Sequence, residues 1–261
     1  MATGHYAKIA LSSQLSALSG KYLLKKAKDK YKDQSYFLYR LTQKQLAHIL
    51  FPLGNYTKFE VRQLASELNL SVKDKPGSQE ICFIPDEDYR EFLKREFTRI
   101  KSTNLHELKA GINANVKPGE ILDLNGKVLG QHKGIPFYTI GQREGLGIAM
   151  GYPLYIVRID AKNNTLVVGK KEDVFSSGLI TGNLSFTAFA IKREVALRVK
   201  IRYNHPEVLS RVSPFGKNKL KVIFSKPQFA VTPGQAAVFY RGATVVGGGV
   251  IESGFSNAKI S

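Results

Sequence analysis

The stretch VALRVKIRY (195–203) alternates without a break: Val195, Leu197, Val199, Ile201 and Tyr203 share one parity, and Ala196, Arg198, Lys200 and Arg202 share the other. Successive side chains of a strand point to opposite faces. The stretch therefore predicts a half-buried strand whose outer face is a basic ladder. Leu220, Val222 and Phe224 repeat the pattern with Lys219 and Lys221 outward. Residues 154–159 and 165–169 flank Lys162-Asn163-Asn164, a hairpin signal. Residues 237–240, a turn at Arg241-Gly242 and residues 244–251 close the series. Short strands at this spacing predict a small closed barrel or a sandwich. Gly247-Gly248-Gly249 reads as close strand packing or a bulge.

Upstream the texture is mixed. Tyr6, Ile9 and Leu11 alternate with polar positions, and Tyr36, Phe37 and Leu38 form a second strand-like run. Thr57 followed three residues later by Glu60 is a capping box, and Val61, Leu64, Ala65 and Leu68 recur behind it at helical spacing. This predicts an amphipathic helix over 57–69. Pro76-Gly77 breaks the chain ahead of a short apolar strand, Ile81-Cys82-Phe83-Ile84. Asp86 can cap a further helix with Tyr89, Phe92, Leu93 and Phe97 on one face. The expected organisation is an α/β piece over 1–87, a small irregular central module over 88–153 and a basic β-domain over 154–257.

Of the 261 residues, 43% are hydrophobic, an ordinary globular composition. Lys and Arg number 39 against 21 Asp and Glu, a formal charge of +18. Two segments carry most of it: residues 1–50 hold nine cations against Asp29 and Asp33, and residues 191–226 hold ten against Glu194 and Glu207. Two separated basic zones suit a long polyanion, with nucleic acid the first candidate and an anionic membrane surface the second. The single cysteine excludes a disulfide framework and a cysteine-cluster zinc site within the chain. The five histidines have no metal-ligand spacing. No apolar run approaches the roughly 20 residues of a membrane span, and the start has no signal-peptide pattern. A soluble, cytoplasmic polyanion binder is expected.

Cys82 leaves two readings open. Lys73, Lys75 and the helix start at Asp86 would lower its pKa and make it a nucleophile, whereas a cysteine between Ile81 and Phe83 can equally be an inert core residue. Gly4 would allow a ligand close to the backbone, and His5 beside it offers a polar contact. Gly141 to Gly147 resembles a phosphate loop but does not join a strand to a helix, so it is no dinucleotide fingerprint. Tyr203 can stack on a base while Arg202 takes a phosphate, or can be a barrel tyrosine.

In order along the chain, ATGHYA (2–7), KDQSYFLY (32–39), SQEICFIP (78–85), REFLKR (90–95), YTIGQREGLGI (138–148), LVVGK (166–170), KIRYNHP (200–206), VTPGQAAVFY (231–240) and GGGVIE (247–252) resemble the tRNA-specific 2-thiouridylases, the MnmA/TrmU family. The resemblance spans essentially the whole chain. It implies an α/β remnant of an ATP-pyrophosphatase (PP-loop) domain, a small central module and a C-terminal antiparallel β-barrel. In that family ATP adenylates the carbonyl of the wobble uridine. A cysteine persulfide, loaded by a sulfur-donor protein, then delivers sulfur to C2, assisted by a second cysteine. By motif match Cys82 would be the persulfide carrier and Gly4 would sit against ATP. His5, Lys32, Asp33, Gln34, Arg202, Tyr203 and Gln235 would contact tRNA. The resemblance implies no resident metal and leaves magnesium open.

Two departures bear on activity. The family's SGGxDS nucleotide loop and its other catalytic cysteine precede the position of ATGHY and do not occur in this sequence. Gly77 stands where the family pattern KPDSQEICF has Asp. The expectation is a chain that does not thiolate tRNA alone: an internal-start product, a fragment of a decayed or split gene, or half of an enzyme completed by a separate N-terminal ATPase half. The rival readings are a non-catalytic basic RNA-binding module that makes no use of Cys82, and a fragment without function of its own.

Overall fold

The structure is a computed structural model that describes residues 1–12, 20–71, 73, 91, 92, 95 and 117–256. It divides into two units, Met1–Lys75 with Ser176–Ser261, and Pro76–Phe175. The run 81–84 with Cys82, and the helix expected from Asp86 apart from Glu91, Phe92 and Arg95, lie outside the described residues.

The first unit contains β1 (Ala7–Leu11), β2 (Tyr22–Lys26), α1 (Gln43–Leu46), α2 (Lys58–Glu67), β7 (Phe175–Phe186), β8 (Val195–Lys200), β9 (Val208–Pro214), β10 (Leu220–Phe229), β11 (Ala236–Arg241) and β12 (Thr244–Phe255). Its sheet runs β1-β2-β12-β11-β8-β9-β10-β7, and β7 pairs again with β12, so six strands close into a barrel. Closure removes the unpaired edges that an open sheet would expose. Inside lie Leu197 and Val199 of β8, Val212 of β9, Val222 of β10, Phe239 of β11 and Val246 of β12. Arg198 stays exposed, as the alternation requires. Gly247, Gly248 and Gly249 line a crowded part of β12, where a Cβ on any of them would meet a neighbour closer than 3.0 Å. A Cβ on Gly248 would meet the Tyr39 ring at 2.6 Å and the Ala237 carbonyl at 2.8 Å.

A second core forms on the outside of the barrel. Val238 and Tyr240 of β11, whose side chains alternate with the inward Ala237 and Phe239, pack against Ala7, Leu24, Tyr36, Tyr39 and Leu46. The β1–β2 hairpin joins the barrel through Lys25 opposite Thr244 and through the Lys26 N–H, which donates to the Ala243 carbonyl at 2.8 Å. Residues 36–38 are turns, not the expected strand. The N–H groups of Phe37 and Leu38 donate to the carbonyls of Gln34 and Ser35 at 3.1 and 3.2 Å. This winding puts Tyr36 and Tyr39, three residues apart, on the same buried side. The helix after Thr57 forms as its capping box predicts, with the Glu60 N–H donating to Thr57 Oγ1 and the Thr57 N–H to Glu60 Oε2.

The second unit is built on β3 (Gly119–Leu122), β4 (Val128–His132), β5 (Tyr155–Asp160) and β6 (Thr165–Gly169), ordered β4-β3-β6-β5. The 155–169 hairpin, placed by sequence at the head of the β-domain, pairs here instead, β6 running parallel to β3 with Ile121 opposite Leu166. Strand periodicity does not name a partner, so the hairpin was legible and its sheet was not. His132, 1% exposed, is a satisfied core histidine: its Nε2 lies 3.0 Å from the Asn164 carbonyl, and its Nδ1 accepts from the Gly134 N–H.

Because the contacts around Gly248 are backbone and a packed ring, Gly248→Ala is expected to destabilise the chain by about 1–3 kcal/mol. A lowered midpoint of urea unfolding, with the slope unchanged, measures this.

Candidate nucleic-acid interface

Two aspartates shape the loop that follows β2. Asp33 is buried, and its Oδ1 accepts from the N–H groups of Ala27 at 2.9 Å and Ser35 at 3.3 Å, while Oδ2 accepts from Ser35 Oγ at 2.8 Å. Asp29 Oδ1 accepts from the N–H groups of Tyr31 and Lys32 at 3.0 and 3.2 Å, and its Oδ2 accepts from the Lys58 N–H at 2.9 Å. Burial pushes the Asp29 carboxyl up, but the N–H groups of Lys58, Tyr31 and Lys32 outweigh it and hold the group below its ordinary value. Short acidic side chains thus fix a loop whose exposed members are Lys28, Lys30, Tyr31 and Lys32.

That loop forms one wall of a cleft of about 820 Å³, and the end of β8 with residues 203–207 forms the other. Six cations line it: Lys8, Lys26, Lys28 and Lys30 from the first basic segment, Arg198 and Lys200 from the second. Only Asp33 and Glu207 answer them in the lining. Asp33 is turned inward onto backbone, and Glu207 is held by Lys26 at 2.6 Å. Lys26 also lies over the Tyr240 ring at 4.6 Å, and Lys200 over the Tyr203 ring at 5.5 Å. Burial pulls the Lys200 ammonium below its usual value against the pull of Asp33 and Glu207, with Lys26 adding to the fall. Burial also lowers His205, and the charges of Arg202 and Lys200 act in the same direction. Lys28 pairs at 2.6 Å with Glu60, which stands outside the lining. That ammonium, with the Thr57 N–H, holds the Glu60 carboxyl at about 2.

The residues singled out from sequence fall in three places. Asp33 and Tyr203 line the cleft, and exposed Lys32 belongs to its loop. Tyr203 meets the 32–39 segment directly, its ring 4.7 Å from Phe37 and 6.5 Å from Tyr36, centroid to centroid. Arg202 instead reaches the loop of Gln235, donating Nη2 to the Ala230 carbonyl at 2.9 Å and to Thr232 Oγ1 at 2.7 Å. Gln235 Oε1 and His205 Nδ1 are buried with no hydrogen-bond partner among the described residues. Gly4 and His5 lie outside the cleft lining. Exposed Gly4 has only Leu53 Cδ1, at 3.8 Å, near a would-be Cβ, and His5 Nδ1 is 2.7 Å from Thr3 Oγ1. Gln34 ties this start to the loop, its Oε1 accepting from the Tyr6 N–H at 3.0 Å. Cys82 lies outside the described residues.

The alternation places Lys200 with Arg198 in the basic ladder off the outer face of β8, but it assigns no role to His205, which stands in the KIRYNHP block beyond the end of the strand. Among the described residues no cluster of His, Cys, Asp and Glu could hold a metal ion, and no helix is long and apolar enough to cross a membrane.

Three family models match in succession. They are the tRNA methyl transferase HUP domain over residues 1–86, the tRNA methyl transferase PRC-barrel domain over 109–170 and the aminomethyltransferase beta-barrel domain over 176–251. A tRNA-specific 2-thiouridylase of Halothermothrix orenii is 45% identical over 256 residues, which are 98% of this chain and 66% of the relative. Proteins of the same name from Caldanaerobacter subterraneus and Carboxydothermus hydrogenoformans are 50% and 48% identical, over 97% of this chain and 64% of each relative. The chain belongs to the tRNA-specific 2-thiouridylase family. It spans just under two-thirds of the length of these 2-thiouridylases. The barrel model begins at 176, where the six-stranded barrel begins, and the PRC-barrel model ends at 170, just after β6.

Two measurements check the site's construction. Arg202→Ala removes both bonds to the 230–232 turn and is expected to destabilise by about 1.5–3 kcal/mol, the range for hydrogen bonds to a charged group. An imidazole NMR titration is expected to place His205 below the ordinary 6.5. A lowered folded value means that the neutral ring's contribution to stability is complete above the unfolded value and is lost as the pH falls through the folded one.

Proposed function

We propose that this chain takes part in ATP-dependent 2-thiolation of the wobble uridine of tRNA, holding the RNA in the basic cleft and carrying sulfur on Cys82. The observation that carries the reading is the convergence of two basic segments, far apart in sequence, on one cleft. A generally solubilising charge would have no reason to gather there. Membership of the 2-thiouridylase family supplies the reaction class.

In this reading the tRNA phosphates lie along Lys8, Lys26, Lys28, Lys30, Arg198 and Lys200, with Tyr203, Lys32 and the Gln235 loop held by Arg202 as further RNA contacts. Asp33 acts through the loop it braces, since its carboxylate is spent on Ala27 and Ser35. His5 sits at the start of the segment that Gln34 ties to the loop. ATP activates the uridine carbonyl by adenylation, with Gly4 giving it open backbone. The outer sulfur of a Cys82 persulfide, supplied by a donor protein, then attacks C2, and AMP leaves with the former O2, which gives a Cys82–S–S–C2 adduct. A second thiol, supplied as a co-reactant since Cys82 is the one cysteine of this sequence, attacks the Cys82 sulfur; the C2-bound sulfur leaves as the thiouridine and Cys82 ends in a disulfide with that thiol.

Salt and mutation separate binding from chemistry. RNA affinity is expected to fall steeply with salt, since each neutralised phosphate releases counterions, with a log–log slope of about −0.7 per contact on single strands. Arg198→Ala is expected to weaken binding and flatten that slope by about one contact. Cys82→Ser is expected to leave RNA affinity unchanged while abolishing the persulfide adduct seen by mass spectrometry after incubation with a sulfur donor. Affinity that does not change with salt, or a wild-type chain that acquires no persulfide on Cys82 after incubation with a sulfur donor, would contradict the reading.

A further inference from the structure

We propose that Tyr31 is a base-stacking residue, and that the cleft therefore receives an unpaired, splayed nucleotide and not the backbone of a duplex alone. The inference rests on the RNA-binding reading above and names the form of RNA that the cleft selects.

Tyr31 is 93% exposed, so its ring contributes almost nothing to the core. Even so, its backbone is fixed. Asp29 accepts from the N–H groups of Tyr31 and Lys32 on one oxygen and from the Lys58 N–H on the other, which joins the loop to the first turn of α2. A large apolar ring on a braced loop, facing water and lining a cleft, is presented at little further cost in order when something covers it. Its neighbours decide what that is. Lys30 and Lys32 stand on either side in sequence, and the opposite wall carries Lys200 and a second ring, Tyr203. Tyr203 is backed by Phe37, tilted 35° at 4.7 Å and itself 57% exposed.

Cations alone would serve any polyanion, an acidic peptide or a duplex included. Rings on both walls add a surface that matches the flat face of a nucleobase. Inside a duplex that face is covered by stacking, and only an unpaired base can offer it. The phosphates on either side of such a base would then fall to the flanking lysines.

The full chain permits a direct test because it contains no tryptophan. Tyr31→Trp keeps an aromatic face and introduces a lone indole reporter. Its fluorescence is expected to be quenched by a hairpin RNA with an unpaired loop. It is not expected to be quenched by a blunt RNA duplex of equal charge or by inorganic polyphosphate. Tyr31→Ala is expected to weaken the hairpin RNA by about 5- to 150-fold, the range of one base–aromatic stack. Duplex affinity should stay within about twofold, and Tyr31→Phe should bind the hairpin like the wild type. Wild-type affinity for the hairpin in Tyr31→Ala, or an indole unquenched by bound hairpin, would overturn the stacking role while leaving RNA binding intact. If the wild-type chain binds neither RNA, the RNA-binding reading falls, and the stacking role falls with it. Since Tyr31 supports no packing, the thermal midpoint of Tyr31→Ala should match the wild type and exclude misfolding as the cause.

Discussion

Burial of β11 on both faces is the constraint from which the rest of the first unit follows. Ala237 and Phe239 fill the barrel, while Val238 and Tyr240 face outward and are equally enclosed, all four with no measurable exposure. An outward apolar pair on a barrel strand needs a cover, and Ala7, Leu24, Tyr36, Tyr39 and Leu46 provide it. Tyr240 carries a polar end into this layer, 3.4 Å from Ser35 Oγ, and burial pushes its phenol far above the usual range. Tyr36 answers in kind, its hydroxyl donating to the Ala236 carbonyl at 2.9 Å. Rings of this size dominate the energetics of a contact, so the N-terminal segment and the barrel behave as one folded body.

The electrostatics follow from that packing. Once the β1–β2 hairpin is joined to β12, the lysine-rich loop after β2 stands opposite the basic end of β8. Like charges brought together in this way repel one another. The structure offsets part of the cost locally: Glu207 holds Lys26, Glu60 holds Lys28, and Lys26 and Lys200 rest over tyrosine rings. Arg198, Lys30 and Lys8 remain as a field that a polyanion would neutralise. Destabilisation of this kind is tolerated where function needs it, and its position beside exposed aromatic rings suits the RNA role proposed above.

Much of this was legible in the residues. The alternation gave the strand over 195–200, its inward face and its basic outer face, but it overran the strand: β8 ends at Lys200, Arg202 turns onto Ala230 and Thr232, and Tyr203 packs against Phe37 outside the barrel. The Thr57–Glu60 box gave the start of α2, and three consecutive glycines marked a close strand pairing. What was not legible was long-range partnering. Tyr36-Phe37-Leu38 has strand composition, yet it winds into turns because Asp33 and Gln34 spend their side chains on backbone and because Tyr36 and Tyr39 must both face β11. The 155–169 hairpin was evident, but its pairing with Ile121 depends on residues more than thirty positions away. The charge counts likewise located two basic zones without showing that they meet. Asp33, named by resemblance among the RNA contacts, is braced inward on Ala27 and Ser35, a placement set by the fold of its loop and not by its neighbours in sequence.

The central claim is that both basic segments grip one RNA in one cleft. Lysine-acetylation footprinting of the full chain, read residue by residue by mass spectrometry across a titration with hairpin RNA, tests it most directly. Lys26, Lys30 and Lys200 are expected to gain protection together, at the same half-saturating RNA concentration, while Lys217 and Lys221 on β10 and the turn before it stay reactive. Protection confined to one segment, or acquired by the two segments at separate RNA concentrations, would contradict the claim.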